Sequence, residues 1–205
     1  MCGIVASFDK NKFNELMKLN SYRGNFSYSI MCFDYIKKEI KSLYKMFGEY
    51  DENILNKFDF ENVYYIGHQQ APTGGLTKDL NRIHPSEIDN SFLYHNGMLK
   101  NSFLLKYDWE KEWDTKLLHK LVLEDINNLD KIEGSFSCLY INNDEIKLFR
   151  NQLSPLYIDI DLNISSAKFE NSKSTKENVI YNIDFKSKEI KIISKFNNCE
   201  NIYFL

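Results

Sequence analysis

The sequence lacks the features typical of membrane proteins, secreted proteins and proteins stabilised by bound metal. No apolar run approaches the roughly 18 residues of a membrane span, and the first eight residues lack the basic region that opens a secretory signal. The four cysteines stand far apart with no C-x-x-C pair, which indicates neither a zinc cage nor a disulfide framework. We therefore predict a cytoplasmic protein, in a bacterial or phage-infected cell, that binds no metal and contacts no membrane.

An excess of charge of one sign is also missing. The 26 lysines and arginines stand against 29 aspartates and glutamates, for a net charge of −3, which gives no reason to expect direct nucleic-acid binding. The 205 residues contain no repeat, low-complexity tract or linker. At the usual ~150 residues per domain, they predict a single domain over 1–205.

Arginine, glycine and proline are scarce, so their positions carry information. Only three basic residues are arginine, in a lysine- and asparagine-rich chain typical of an AT-rich gene. Arginine is needed where a planar fork must grip a carboxylate or several carbonyls, whereas glycine and proline serve special backbone geometry. Most of these residues gather in short islands, at 2–3, 22–24, 67–75, 84–85, 95–97, 133–134 and 150–157.

Short apolar runs predict strands along much of the chain. They lie at 2–8, 28–35, 63–67, 91–94, 135–141, 145–150, 156–160, 162–167, 179–183 and 189–193. Helical spacing covers 12–19, and the clearest helix runs from Asp114, at its N-cap, to about Leu129. Strands first, helices in the middle and hairpins last indicate an α+β fold with antiparallel sheets.

Cys2 directly follows the initiator methionine, and its small side chain permits removal of Met1. Removal would place a thiol and a free α-amine on one residue. The amine, with a reference pKa of ~7.7–8.0, suits a general base near neutral pH, and the thiolate is a strong nucleophile. The alternative interpretation is a buried structural cysteine on the first strand.

Seven short motifs follow one another along the chain. They are CGIVA at 2–6, RGNFS at 23–27, GHQQAPTGG at 67–75, HNG at 95–97 with Asn101, DT at 114–115, GSF at 134–136, and Arg150 with SPLY at 154–157. In order and spacing they resemble the motifs of class II glutamine amidotransferases, which are N-terminal-nucleophile hydrolases that release ammonia from glutamine. The resemblance covers roughly residues 2–167.

The resemblance implies which residues act as nucleophile, which stabilise the oxyanion and which binds the substrate ammonium. Cys2 is the nucleophile, and the Asn96 side-chain amide and the Gly97 backbone N–H stabilise the tetrahedral oxyanion. The alternative for this Asn-Gly pair is a tight hairpin turn. Asp114 is the counterpart of the residue that binds the α-ammonium of glutamine, beside its N-capping role.

One position departs from the family pattern. Where the family's GHTR motif has an arginine for the substrate α-carboxylate, this chain has Gln70, which donates only neutral hydrogen bonds. Arg82 is expected to supply the missing cation, with Thr73 and the backbone of the two glycines that follow it on the same wall. Arg23 is expected to brace the loop over the pocket rather than to touch substrate.

The four histidines show no metal-like spacing, and the family needs no histidine base. We interpret His68, His84 and His95 as structural residues with satisfied hydrogen bonds. His119 is interpreted as a surface residue of the predicted helix.

The resemblance implies the four-layer α/β/β/α sandwich of N-terminal-nucleophile hydrolases and a glutaminase without cofactor. L-glutamine and water would give glutamate and ammonia through a thioester on Cys2. A separate synthase-type subunit is the expected ammonia acceptor, with modified-nucleoside synthesis as one hypothesis, and the oligomeric state is left open. Two alternatives stand: an amidase acting on a different amide, favoured by Gln70, and a non-catalytic regulatory or docking subunit, which a retained Met1 would favour.

Overall fold

A computed structural model describes residues 2–71, 79–109, 112–142 and 145–198. The strands in chain order are β1 (Gly3–Ser7), β2 (Ser27–Asp34), β3 (Glu39–Phe47), β4 (Val63–Gln70), β5 (Ser86–Ile88), β6 (Ser91–Leu99), β7 (Gly134–Asn142), β8 (Glu145–Arg150), β9 (Tyr157–Ile158), β10 (Ile164–Ser165), β11 (Lys173–Ser174), β12 (Val179–Asp184) and β13 (Glu189–Lys195). The helices are α1 (Lys10–Asn20), α2 (Asn101–Lys106) and α3 (Asp114–Glu124), with 3-10 turns at Ser21–Arg23, Glu52–Lys57, Leu80–Arg82 and Ile126–Lys131.

In the described residues the strands form two antiparallel sheets. One has the order β11-β9-β10-β1-β4-β2-β3 and the other β13-β12-β8-β7-β6-β5. Alternate side chains point to opposite faces of a strand, and the inward residues of both sheets, such as Ile4, Ala6, Tyr94 and Leu139, form one shared core. The sheets therefore pack face to face.

Helix α1 covers the outer face of the first sheet. Asp9 caps it by accepting a hydrogen bond from the Lys12 N–H at 2.7 Å. Phe13, Leu16 and Met17 recur at helical spacing and pack on outward-facing strand residues. The helix predicted from this spacing is confirmed, two residues longer at its start.

Helix α3 covers the second sheet, which completes the predicted four-layer α/β/β/α sandwich. Its apolar face, including Leu117, Leu118 and Val122, is buried as the pattern indicates. Two details of the prediction are wrong. The helix ends at Glu124, with a 3-10 turn continuing toward Leu129, and its N-cap residue is Trp113, so Asp114 is the first helical residue.

The surface position predicted for His119 is also wrong. The side chain is fully buried, with Nδ1 3.0 Å from Ser86 Oγ and Nε2 2.8 Å from Ser91 Oγ. Since residues at i and i+4 share a helix face, His119 lies on the same side as the buried Thr115 and packs on β5 and β6. Two strand hydroxyls make this burial of a polar ring tolerable.

Two strands run further than their sequences predict. β4 continues past Gly67 to Gln70, and β6 continues past Tyr94 to Leu99. Asn96 and Gly97 are therefore paired with Ser137 and Phe136 of β7. This pairing excludes the hairpin-turn alternative for the Asn-Gly pair.

Candidate functional site

Cys2 stands at the head of β1, a central strand of its sheet. By strand alternation its side chain lies on the same face as Ile4 and Ala6, toward the second sheet. The thiol is almost fully buried, and its Sγ donates to the Ala71 carbonyl at 3.9 Å, just beyond the end of β4. The residue is thus placed where the inter-sheet space reaches the end of the sandwich.

The turn after α1 holds the backbone around Cys2. Arg23 Nε–H donates to the Cys2 carbonyl oxygen at 2.8 Å, and the Phe26 N–H donates to the Gln70 carbonyl at 3.0 Å. Between them, Gly24 passes so close to β4 that a Cβ atom would lie 2.4 Å from the Gln70 carbonyl carbon. The RGNFS motif therefore ties the start of β1 to the end of β4.

Asn96 faces Cys2's sheet from the opposite one, because it lies on the same face of β6 as the core residue Tyr94. Its Nδ2 lies 3.4 Å from Ser166 Oγ, and that oxygen also accepts the Ile4 N–H at 3.0 Å. Asn96 is thereby connected to β1 two residues from Cys2.

Gly97 has a backbone conformation that residues with a side chain rarely adopt. Its φ is +153°, and a Cβ atom would lie 1.9 Å from the Ser135 carbonyl oxygen of β7. The close approach of β7 requires glycine beside the asparagine.

Asp114 lies where α3 begins, next to the end of β6. Its Oδ2 accepts the Leu99 N–H at 3.1 Å and its Oδ1 accepts the Thr115 N–H at 2.8 Å. The pKa of the Cys2 thiol is raised to about 11, chiefly by burial and in small part by the Asp114 carboxylate, while the hydrogen bond to the Ala71 carbonyl and the Arg23 guanidinium oppose this rise. Asp114 and Arg23 are therefore electrostatic neighbours of the thiol with opposite effects.

The side-chain amide of Gln70 contacts other groups of the protein through both its oxygen and its nitrogen. Its Oε1 accepts from Ser27 Oγ at 3.2 Å and lies 3.3 Å from His84 Nδ1, while its Nε2 donates to the Arg82 carbonyl at 3.1 Å. The contact with Arg82 involves the backbone and not the guanidinium. Thr73 and the two glycines after it lie outside the described residues.

A buried chain of hydrogen-bonding groups joins the Gln70 and Asp114 regions. His84 Nε2 lies 3.2 Å from Thr115 Oγ1, which is 3.1 Å from His95 Nδ1, and His95 Nε2 lies 3.2 Å from the Ser135 carbonyl. With Gln70 Oε1 at the other end, both ends are acceptors. Three neutral groups supply three protons for four contacts, so at most three are hydrogen bonds at one time.

The histidines of this chain are held neutral. Burial lowers the pKa of His68 to about 3 and takes the pKa of His84 well below its usual range. Burial also lowers the pKa of His95, against the opposing effect of Asp114. The rings of His68 and His84 stack 3.8 Å apart, and His68 Nε2 lies 3.0 Å from the His95 carbonyl. The prediction of satisfied hydrogen bonds is wrong for His68, because its Nδ1 is buried without a hydrogen-bond partner among the described residues.

Sequence reasoning missed Ser166. It lies within Ser165-Ser166-Ala167 at the end of β10, and a small-residue run of this kind carries no recognisable signal on its own. Its place beside the site is defined by its contacts to Ile4 and Asn96. In the described ranges, no three His, Cys, Asp or Glu side chains are grouped to hold a metal ion, and no helix is long and apolar enough to span a membrane.

Two face-to-face antiparallel sheets between helical layers, with a cysteine at the head of a central strand, define the fold of N-terminal-nucleophile hydrolases. Within that class the chain has the fold of class II glutamine amidotransferases. It is similar to glutamine phosphoribosylpyrophosphate amidotransferase from B. subtilis, complexed with ADP and GMP (TM-score 0.67, 17% identity, 94% of this chain and 49% of that one). It is also similar to an allosteric regulatory enzyme of purine biosynthesis (TM-score 0.63, 18% identity, 94% and 48%).

The chain spans about half the length of these two structures. In sequence, it matches no protein-family profile and shows no significant similarity to a curated protein. At such low identity, the likeness establishes the fold.

Proposed function

We propose that the protein is a glutaminase that uses Cys2 as its nucleophile. The observation that supports the proposal is that Asn96, on β6, is connected through Ser166 to Ile4, two residues after Cys2 on β1, within the fold of glutamine amidotransferases. Asp114 lies close enough to act on the thiol electrostatically, which fits a carboxylate that receives the substrate ammonium.

The reaction would proceed in two steps, once removal of Met1 has freed the Cys2 amine. The thiol sulfur attacks the side-chain amide carbon, its proton passes to the amine, and the oxyanion forms opposite Asn96 and Gly97. The carbon–nitrogen bond breaks as the amine gives its proton to departing ammonia. Water then attacks the thioester, which releases glutamate and restores the thiol.

We further propose that the ammonia passes to a synthase-type acceptor on a separate subunit, with modified-nucleoside synthesis as the hypothesis for its pathway. The resemblance to amidotransferases supports this step. It is tested by measuring whether a co-purifying subunit aminates its acceptor substrate when glutamine is the nitrogen source, and whether that amination is lost in Cys2→Ala.

Replacement of Cys2 tests the central proposal. We expect Cys2→Ala to lower glutamate release from glutamine by at least ~10⁴-fold, because the covalent route is lost. Cys32→Ala is the matched control, since Cys32 is equally buried but lies on β2 outside the site. Glutamate release by Cys2→Ala at the wild-type rate would refute the mechanism, and a mass showing retained Met1 would favour the non-catalytic subunit.

A second function, hydrolysis of a different amide, is favoured by the internal hydrogen bonds of Gln70. A glutaminase needs a partner for each α-group of its substrate, and Arg82 is our candidate for the carboxylate. We expect the unmodified protein to have a lower kcat/KM for the α-amide of glutamine than for glutamine. Arg82→Ala should raise KM for glutamine and leave KM for the α-amide unchanged. Equal turnover of glutamine and its α-amide would support the second function.

A further inference from the structure

Ser166 joins the strand that carries Cys2 to the strand that carries Asn96. Its Oγ accepts the Ile4 N–H at 3.0 Å and lies 3.4 Å from Asn96 Nδ2, and its own N–H donates to the Ile4 carbonyl at 2.9 Å. Ser166 is 1% exposed, so bulk water does not compete for these contacts. A buried hydroxyl thus connects the two sheets beside the candidate site.

This connection relates the nucleophile to the oxyanion donor. Ile4 lies two residues after Cys2 on the same face of the chain, so both move with β1. Asn96 belongs to the facing sheet. Ser166 contacts both Ile4 and Asn96, so its hydroxyl lies between the strand of Cys2 and the side-chain amide of Asn96.

We infer that Ser166 is a positioning residue that orients the Asn96 amide for oxyanion stabilisation, an inference that rests on the proposed function. The Asn96 amide nitrogen carries two hydrogens. When one is directed at Ser166 Oγ, rotation of the amide is restricted and the other hydrogen is left for the substrate oxygen. A donor oriented before the reaction stabilises developing charge without reorganisation.

The experiment compares two neighbouring serines. Ser166→Ala should lower kcat for glutamine about 10- to 100-fold with little change in KM, because an oxyanion donor acts on the transition state. Ser165→Ala is the matched control: Ser165 is fully buried and its Oγ also accepts two hydrogen bonds, from Asn20 Nδ2 at 2.8 Å and the Ala167 N–H at 3.0 Å. It should keep the wild-type kcat despite a similar loss of stability.

An aldehyde analogue of glutamine gives a readout that a purely structural role would not move. The Cys2 sulfur adds to its carbonyl carbon and the thiol proton ends on the oxygen, which occupies the oxyanion position. Its inhibition constant should rise about 10- to 100-fold in Ser166→Ala, while alkylation of Cys2 by iodoacetamide, which releases iodide and forms no oxyanion, should keep its rate. The double variant Ser166→Ala/Asn96→Ala should have the same kcat as Asn96→Ala alone, because Ser166 acts only through Asn96.

Each result decides the inference. A wild-type kcat in Ser166→Ala, an equal loss in Ser165→Ala, or full additivity with Asn96→Ala would overturn it while glutaminase activity persists. If the unmodified protein releases no glutamate, the proposed function fails instead. Proton exchange of the Asn96 amide, expected to be slowed in the wild type and accelerated in Ser166→Ala, then still decides whether Ser166 holds Asn96.

Discussion

The two ends of the sandwich differ in the types of residue that close them. At the end that carries Cys2, several buried residues are polar, including Arg23, His84, Asn96 and Thr115. At the opposite end, where β2 and β12 finish, aromatic rings pack around Phe185. Both ends close the same pair of sheets, so the difference is one of chemistry rather than of architecture.

The comparison separates two ways of closing a sandwich. Rings contribute apolar burial and tolerate small shifts, since their contacts are individually weak and numerous. Buried polar groups must each find a partner in a definite direction. The Cys2 end is therefore the more exacting of the two, as expected of a site that must place donors and acceptors around a reacting group.

Among the variants that test this comparison of the two ends, the largest effect is expected from an added methyl group at the Cys2 end. Gly97→Ala would place Cβ 1.9 Å from the Ser135 carbonyl at a φ of +153°, so β6 and β7 must separate. We expect kcat to fall by about 10²- to 10³-fold, as for loss of an oxyanion donor, measured on folded protein. Gly48→Ala is the control, because Gly48 has a φ of +105° with nothing within 4 Å of its Cβ position. Equal activity in both variants would break the comparison.

A smaller effect, on stability alone, is expected at the opposite end. Phe185 has ring centroids of Phe33 at 5.6 Å, Tyr64 at 5.4 Å and Tyr35 at 5.9 Å. Phe185→Ala should lower the free energy of unfolding by about 2–3 kcal/mol, since the ring is only partly buried, and should leave kcat unchanged. Ile160→Ala, at a side chain that is 92% exposed, should change neither. A large fall in kcat without unfolding would show that the ends are coupled.

The smallest effect is expected from pH. Burial lowers the pKa of His119 to about 4, from 6.5 in the unfolded chain. As the pH falls, the unfolded state binds the proton first, so the stability that depends on neutral His119 is complete above pH 6.5 and is lost toward pH 4. About 2 kcal/mol of unfolding free energy should disappear between pH 7 and pH 5 for this histidine.

Two substitutions assign that loss. His119→Gln should reduce the slope of the stability profile between pH 7 and pH 5 in denaturant titrations by the share of this one histidine, while the buried His68, His84 and His95, whose pKa values are also lowered, keep the remainder. Asp34→Asn, at the opposite end, should leave this interval unchanged, because hydrogen bonds from the Lys37 N–H and the Lys41 side chain hold the pKa of Asp34 at about 2. An unchanged slope in His119→Gln would contradict burial of a neutral ring.

The parts of the fold that were predictable have strong local signals. Helix α1 and the apolar face of α3 follow from helical spacing, and β1, β2, β12 and β13 follow from short apolar or alternating runs. β3 was not predicted, since its apolar residues are interrupted by lysine and serine and it is an edge strand with one partner. Its structure depends on pairing with β2, which no local pattern records.

The candidate site was predictable to the extent that its residues are rare or clustered. Cys2, Asn96 and Asp114 were predicted from motifs, and the roles assigned to them stay predictions until the variants are measured. The buried position of His119 and the inter-sheet contacts of Ser166 were not predictable, because their partners come from other strands.

The sequence by itself determined the periodicities, and with them the α+β class, and it placed a cysteine at position 2. The layers of the sandwich were implied by the resemblance of its motifs to a family. Tertiary structure alone decided which face of β6 carries Asn96, that the Gln70 amide is hydrogen-bonded within the protein, and that Ser166 connects the two sheets. Periodicity is a property of neighbours along the chain, whereas the contact between the sheets from Asn96 to Ser166 joins residues 70 positions apart. The packing of the two sheets sets those pairings.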